Sequence, residues 1–294
     1  MKNRKITHCF SASLFLLFSL MIILLTSCST SETYEEKSIN VEDDFATVII
    51  DVDTEDIVLL PSDDGKCRVV CYAVEGIEHT VRVDGDKLKV ESEDTRSLVE
   101  RIFSIVENNN KITVYLPTLV NTSVLIDCDT GDIELPGDFT FDSIDISLDT
   151  GNVICNASAE NSIKIESDTG DIKINNSKAK SVTLESDTGD TVLSGIVCHS
   201  FVFTGDTGNI TLSSVIAEGE MTIEINTGDV IFNRCDASEV KITTNTGDVK
   251  GSFLTDKIIF VDTDTGRTDY PKLTAGGRCD ITTDTGDIKI SIGE

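Results

Sequence analysis

From about residue 119 to the C-terminus, apolar and polar positions alternate in short runs, and the runs break at the same tripeptide every 19 or 20 residues. Asp-Thr-Gly stands at 129–131, 149–151, 168–170, 187–189, 206–208, 264–266 and 284–286, and Asn-Thr-Gly at 226–228 and 245–247. The repeat glycines are Gly131, Gly151, Gly170, Gly189, Gly208, Gly228, Gly247, Gly266 and Gly286. Seven and five residues before each glycine the chain is apolar: Val124 and Ile126, Ile144 and Ile146, Phe201 and Phe203, down to Cys279 and Ile281. Mostly polar residues such as Lys164, Thr183, Thr222 and Lys241 separate them. That period of two marks a strand with one buried face. Two and four residues after the glycine the pattern resumes, with Ile133 and Leu135, Val153 and Cys155, Ile172 and Ile174. A shorter apolar element follows, at Ile196, Val215, Leu254 and Leu273. Each unit therefore reads as strand, tight turn, strand and short third side. Asx and Thr can bond local backbone groups, and Gly supplies the positive φ of the bend.

Two folds satisfy this unit. In a parallel β-solenoid each unit is one coil, and equivalent residues stack about 4.8 Å apart. In an antiparallel meander each Thr-Gly is a hairpin loop. The near-constant unit length favours stacking, and two-residue hairpins prefer Asn-Gly or a leading Gly over Thr-Gly. The expectation is an all-β chain: a parallel, β-helix-like solenoid of about nine 19–20-residue coils over residues 119–294, behind an N-terminal β cap at 45–118. Within the cap, Asp84-Gly85 in VRVDGDKLKV signals a hairpin, and Thr95–Val106 reads as a short helix or excursion. Asp53-Thr54-Glu55-Asp56 resembles a degenerate first turn with Glu in the glycine position. The chain stops just after a repeat strand, so an open C-terminal coil is expected to self-associate or dock.

The first residues carry a different pattern. Lys2, Arg4 and Lys5 precede an almost wholly apolar run from Phe10 to Leu25. At 16 residues it is short for a membrane span and suits a secretory signal. Leu25-Thr26-Ser27-Cys28 resembles a bacterial lipoprotein box, which implies cleavage after residue 27 and lipid attachment to Cys28 on the extracytoplasmic face of the membrane. Residues 28–44 are polar and acidic and read as a tether.

The order IDVDTEDIVLLPSDDGKCRVV, DGDKLKVESED, NNNKITVYLPTLVNTSVLIDCDTGDIEL and then repeated DTGDI resembles DUF4097, the bacterial putative-adhesin family of unknown function, over about residues 45–294. The resemblance implies a β-solenoid at the cell envelope with no assigned catalytic residues. It also implies an alternative role beside envelope-stress regulators.

Composition narrows the chemistry. The formal charge is −28, and without residues 1–27 it is 21 bases against 52 acids, a net of −31. Such a surface repels nucleic acid and anionic lipid. Trp is absent and aromatics are 5%, so the core must be aliphatic. Asp-Thr-Gly is also the aspartic-protease tripeptide, but seven copies on one ridge cannot form a dyad. An ice-binding face would need a second Thr rank beside that of the corners, and the rank four residues before each glycine, with Asp127, Glu166, Glu185, Glu224 and Asp262, is too charged. The scattered Tyr, and only His79 and His199 beyond the signal, argue against a carbohydrate-active β-helix enzyme, kept as a distant alternative.

A hard cation is the one cofactor the pattern suggests, although nothing requires one. Stacking would align Asp129, Asp149, Asp168, Asp187 and Asp206 in one rank, with Asp132, Asp171 and Asp190 in part of another. Two carboxylates about 5 Å apart repel by about 0.8 kcal/mol even in water, and Ca2+ would offset that. Against this, the GGxGxD repeat of calcium-binding β-rolls is missing, Asn226 and Asn245 dilute the rank, and each Asp can accept N–H bonds at its own turn. Cys67, Cys71, Cys128, Cys155, Cys198, Cys235 and Cys279 show no zinc spacing. The functional expectation is a non-catalytic envelope lipoprotein. It would serve as an adhesin or scaffold for an unknown protein or cell-surface polymer, or alternatively as a partner in envelope-stress regulation.

Overall fold

The computed structural model describes residues 35–73, 76–96, 110–118 and 122–293. The expected signal segment, Cys28, the start of the expected tether and most of the helix or excursion expected at Thr95–Val106 lie outside them. Glu35–Glu294 forms one compact unit.

The repeat is a parallel β-solenoid. The strand before each corner pairs in parallel with its equivalents in the neighbouring coils. Ile144 faces Val124 on one side and Ile163 on the other, and Ile146 faces Ile126 and Ile165. The short strand after each corner does the same, with Val153 between Ile133 and Ile172. The two resulting sheets enclose an aliphatic core. All the inward positions anticipated from the alternation are buried through residue 253, among them Ile144, Ile165, Leu184, Ile223 and Ile242. Burying each such side chain is worth about 1.5–3 kcal/mol, so the alternation alone supplies most of the drive to stack. One-residue differences in coil length are absorbed as bulges away from the corner, at Phe141/Ser143 and Ala217/Glu220. The third side follows expectation at Ile196 and Val215, both buried. Leu254 and Leu273 are exposed instead, and Phe253 fills the core beside Phe232.

The stacking order departs from chain order at both ends. Lys257–Thr265 is not the neighbour of Val230–Thr246. Between them lies Gly277–Thr285, with Cys279 facing Val240 on one side and Ile259 on the other. Ile288–Ile292 likewise separates Val249–Phe253 from Thr268–Asp269. The expectation of an open C-terminal coil is thereby corrected: that coil is covered on both sides, and the outermost coil is 257–269. Exposure follows, with Phe260 51% accessible and Val261 only partly buried.

At the other end, Thr47–Val52 sits between Lys87–Asp94 and Ser123–Thr130. Asp56–Pro61 sits between Lys111–Leu116 and Ile133–Leu135. The segment expected as a cap thus contributes parallel coils of its own. True capping falls to antiparallel strands: Ile77–Asp84 on Lys87–Asp94 through the Gly85 hairpin, and Cys67–Ala73 on Lys111–Leu116. The tether expectation is also corrected in part, because Glu35–Val41 pairs antiparallel with Cys67–Ala73.

Stacking is closest at the corners. A Cβ added to Gly170 would lie 1.7 Å from the carbonyl oxygen of Gly151, and φ there is +142°. The same collision recurs at every repeat glycine, including Gly266 against Gly286. No residue with a side chain fits. Gly170→Ala should therefore lower the stability of the unit by at least about 3 kcal/mol. Gly65→Ala is its comparison: φ is +71° there with nothing within 4 Å, so it should cost only about 1–2 kcal/mol. Denaturant midpoints of the two variants measure the difference.

Candidate functional site

The corners align into a ridge with two ranks of Asx residues. The outer rank runs Asp129, Asp149, Asp168, Asp187, Asp206, Asn226 and Asn245, all exposed. Its order follows from the register of the adjoining threonines, Thr130 to Thr150, Thr169, Thr188, Thr207, Thr227 and Thr246. Asn226 donates Nδ2 to Asp206 Oδ1 at 2.5 Å, and Asn245 donates to Asn226 Oδ1 at 3.2 Å. The two asparagines thus replace repulsion with hydrogen bonds where they interrupt the acids.

The inner rank follows each glycine and has a defined duty. Asp132 Oδ1 accepts the backbone N–H of Asn152 at 2.8 Å, and Asn152 Oδ1 accepts that of Asp171 at 3.0 Å. The relay continues through Asp171 to Asp190 and Asp190 to Asn209. It then runs from Asn209 to Asp229, Asp229 to Asp248 and Asp248 to Asp287. It begins at Asp56, which accepts from Asp132. It ends at Arg267, whose N–H donates to Asp287 Oδ1 and whose guanidinium returns to Asp287 Oδ2 at 2.8 Å. Beside it runs a backbone relay in which each glycine N–H donates to the Thr carbonyl of the next coil, as Gly170 does to Thr188 at 2.9 Å. Each Asx therefore bonds the next coil rather than its own turn.

Of the carboxylates considered as cation ligands, Asp132, Asp171 and Asp190 are engaged in this relay. Asp129, Asp149, Asp168, Asp187 and Asp206 line the solvent side. Among the described residues, no three His, Cys, Asp or Glu side chains converge into a group that could hold a metal ion.

Sequence reasoning missed one cluster at the cap. Glu55 occupies the glycine position of the first corner, and its side chain is 1% exposed. It accepts bonds from Ser92 Oγ at 2.8 Å and the Thr54 N–H at 2.9 Å, and pairs with His79 Nε2 at 3.1 Å. The carboxylate lies between the serine and the histidine, so it ties Ile77–Asp84 and Lys87–Asp94 to the first corner and does not connect a nucleophile to a base. The seven described cysteines are buried and free. Burial pushes the thiols of Cys67, Cys128, Cys155, Cys198 and Cys279 up to about 12. They are inert core residues.

On the face of the short-strand sheet, beside the inner rank, lies a half-open groove of about 490 Å3. Asp132, Asn152 and Asp171 form one wall, and Ile154, Lys173 and Lys111 line the rest. The middle residue of each short strand faces outward, giving Glu134, Ile154, Lys173, Val192, Thr211, Ile231 and Lys250 in stacked register.

The two ends of the ridge titrate with opposite sign. Burial and then the charges of Asp53, Asp149, Asp127 and Asp51 raise the Asp129 carboxyl above its ordinary 3.8. Burial and Asp127, Glu91 and Asp53 do the same for Asp51. A raised native pKa means stability present below about pH 4 and lost as pH rises through the native value. At the far end the Arg267 side chain lowers Asp287, and Lys250 lowers Asp248. Their contribution is present above about pH 4 and lost as pH falls through the native value.

Two predictions follow from these interactions. Asp129→Asn should raise the melting temperature at neutral pH by about 2 °C, and the gain should vanish below about pH 4; melting curves at the two pH values test this. Asp171→Ala should cost about 0.5–1.5 kcal/mol, the net worth of a hydrogen bond. Asp171→Asn keeps the acceptor and should be nearly neutral. Melting each with EDTA and with Ca2+ at fixed ionic strength separates relay from coordination. Under coordination, the asparagine variant would lose a calcium-dependent rise that the parent shows.

The family model Toastrack DUF4097 matches residues 46–292. No curated protein matches the chain in sequence. Among solved structures, a putative adhesin from Bacteroides fragilis is 16% identical, with a TM-score of 0.51 over 89% of this chain and 98% of that one. A putative adhesin from Parabacteroides distasonis is 13% identical, with a TM-score of 0.39 over 89% and 98%. At such identities the likeness to the first shows the fold alone. With the family model covering nearly all of the described residues, the chain belongs to the Toastrack DUF4097 family.

Proposed function

We propose that this chain is a non-catalytic protein of the cell envelope, exported, held to the membrane by lipid on Cys28, and acting as an adhesin or surface scaffold. The observation that carries the reading is the outward rank of the short-strand sheet. Ile154, Val192 and Ile231 are 38, 39 and 41% exposed. They occur at every second coil, with Lys173 and Thr211 between them. Two strand spacings set them roughly 10 Å apart. A ruler of equal, individually weak sites suits a long repeating partner, because linked contacts multiply avidity without any single strong site. Lys173, and further along Lys250 beside Lys289, place positive charge on this face of an otherwise acidic protein, Lys250 in an ion pair with Asp248. The adhesin description of the Bacteroides fragilis structure agrees with the reading.

Retention of the 35–294 unit on isolated envelope polysaccharide, followed across a salt series, tests the proposal. The parent should be retained at low salt and released as salt rises. Ile154→Ser, Val192→Ser and Ile231→Ser combined should weaken retention by about tenfold or more while leaving the fold intact. Equal retention of the triple variant would remove the rank from the interaction. Failure to bind any polymer, together with capture of one defined membrane protein, would favour the regulatory role. In the full chain, Cys28→Ser should move the protein out of the membrane fraction and abolish labelling by fatty acid.

A further inference from the structure

We propose that residues 277–292 are an exchangeable closing segment, and that the slot they fill accepts the same segment from a second copy of this chain. The inference rests on strand order and is independent of the adhesin reading. After Phe253 the chain steps past one level of the stack to lay down Lys257–Thr265, then returns through 270–276 to fill the skipped level. Until it returns, the strands Val230–Thr246 and Lys257–Thr265 face each other across an empty level. So do Val249–Phe253 and Thr268–Asp269.

The slot is specific. Its core side presents Val240, Ile242 and Ile259, all buried in the finished fold, and takes Cys279 and Ile281 between them. Its corner needs the full set of relay bonds. Gly247 N–H donates to the Thr285 carbonyl, and Gly286 N–H to that of Thr265. Asp248 accepts from Asp287, and Asp287 accepts from Arg267. A strand pair lacking Thr-Gly-Asp in that register would leave these groups unmet. The segment that meets them is present in every copy of the chain, and the bonds are blind to which copy supplies it.

The connection also permits exchange. Lys272–Gly276 is exposed, and Gly276 has a φ of +124°. Among the described residues, the strands of 277–292 make their ladders only within this slot. Thr47–Val52, intercalated at the opposite end, differs, because Glu35–Val41 before it is itself docked on the cap. Exchange of an identical element rebuilds every native contact except those of the hinge, and concentration decides between closure within a chain and closure between chains.

The test refolds the 35–294 unit from denaturant with reductant at low and high protein concentration and sizes the products. A second form carries Thr243→Cys with Thr282→Cys, which lie in direct register on the outer face; the single substitutions give the background. The expected result is a dimer whose fraction grows with refolding concentration and persists on dilution. Oxidation should make that dimer covalent on a non-reducing gel, while the monomer closes internally. Co-expression of two differently tagged copies reads the same exchange where refolding is incomplete, with mixed covalent dimers expected. Monomer alone under all these conditions, or a dimer whose introduced pair closes only within each chain, would overturn the proposal.

Discussion

Each repeat coil of this protein, from the corner at Gly131 onward, meets its neighbour at a place where a backbone carbonyl occupies the volume a Cβ would need. That contact follows from the strand spacing of the two ladders. It requires glycine at each repeat corner, from Gly131 to Gly286, and it brings successive corners close enough for two relays to run along the rod. One relay joins glycine N–H groups to threonine carbonyls. The other joins Asx side chains to the backbone of the following coil. Corners are where a solenoid leaves backbone donors outside the ladders of its sheets, and such donors must find partners. Here they are met by the repeat itself.

The same relay explains how the rod stops. A strand stack with a free end invites further strands. Eight of the nine repeats place Asp or Asn after the glycine, and the ninth places Arg267 there. Arg267 donates but cannot accept, and it caps the outermost coil by pairing back to Asp287. At the opposite end, antiparallel strands cover the first coils, and the buried Glu55 carboxylate binds His79 and Ser92 to the corner beneath. In both end regions the chain also tucks a coil one level inward, so that it is held from two sides.

Much of the fold was legible from two facts, the period of two around each corner and the near-constant coil length. These placed the inward residues from Val124 to Ile242 correctly, because burial leaves no freedom in which face a strand residue takes. The order of the last two coils was not legible from periodicity, since a skipped level preserves every inward position. Its one sequence signal was Arg267, the residue that breaks the Asx rule, and its meaning depends on knowing that the Asx residues bond forward. Glu35–Val41 was read as tether because an acidic edge strand with one neighbour shows little alternation. The acidic ranks were legible as ranks. Whether each Asx served its own turn, the next coil or a cation was not, because all three uses require the same oxygen.

The account therefore stands on the forward bonds of the inner rank. Amide hydrogen exchange at Asn152, Asp171, Asp190 and Asn209 tests them most directly, since these residues are solvent-exposed. If their N–H groups are held by the Asx oxygen of the preceding coil, they should exchange as slowly as amides within the neighbouring strands. Exchange at the rate of a free surface loop would contradict the relay and, with it, the explanation of why the repeat is written as Thr-Gly-Asx.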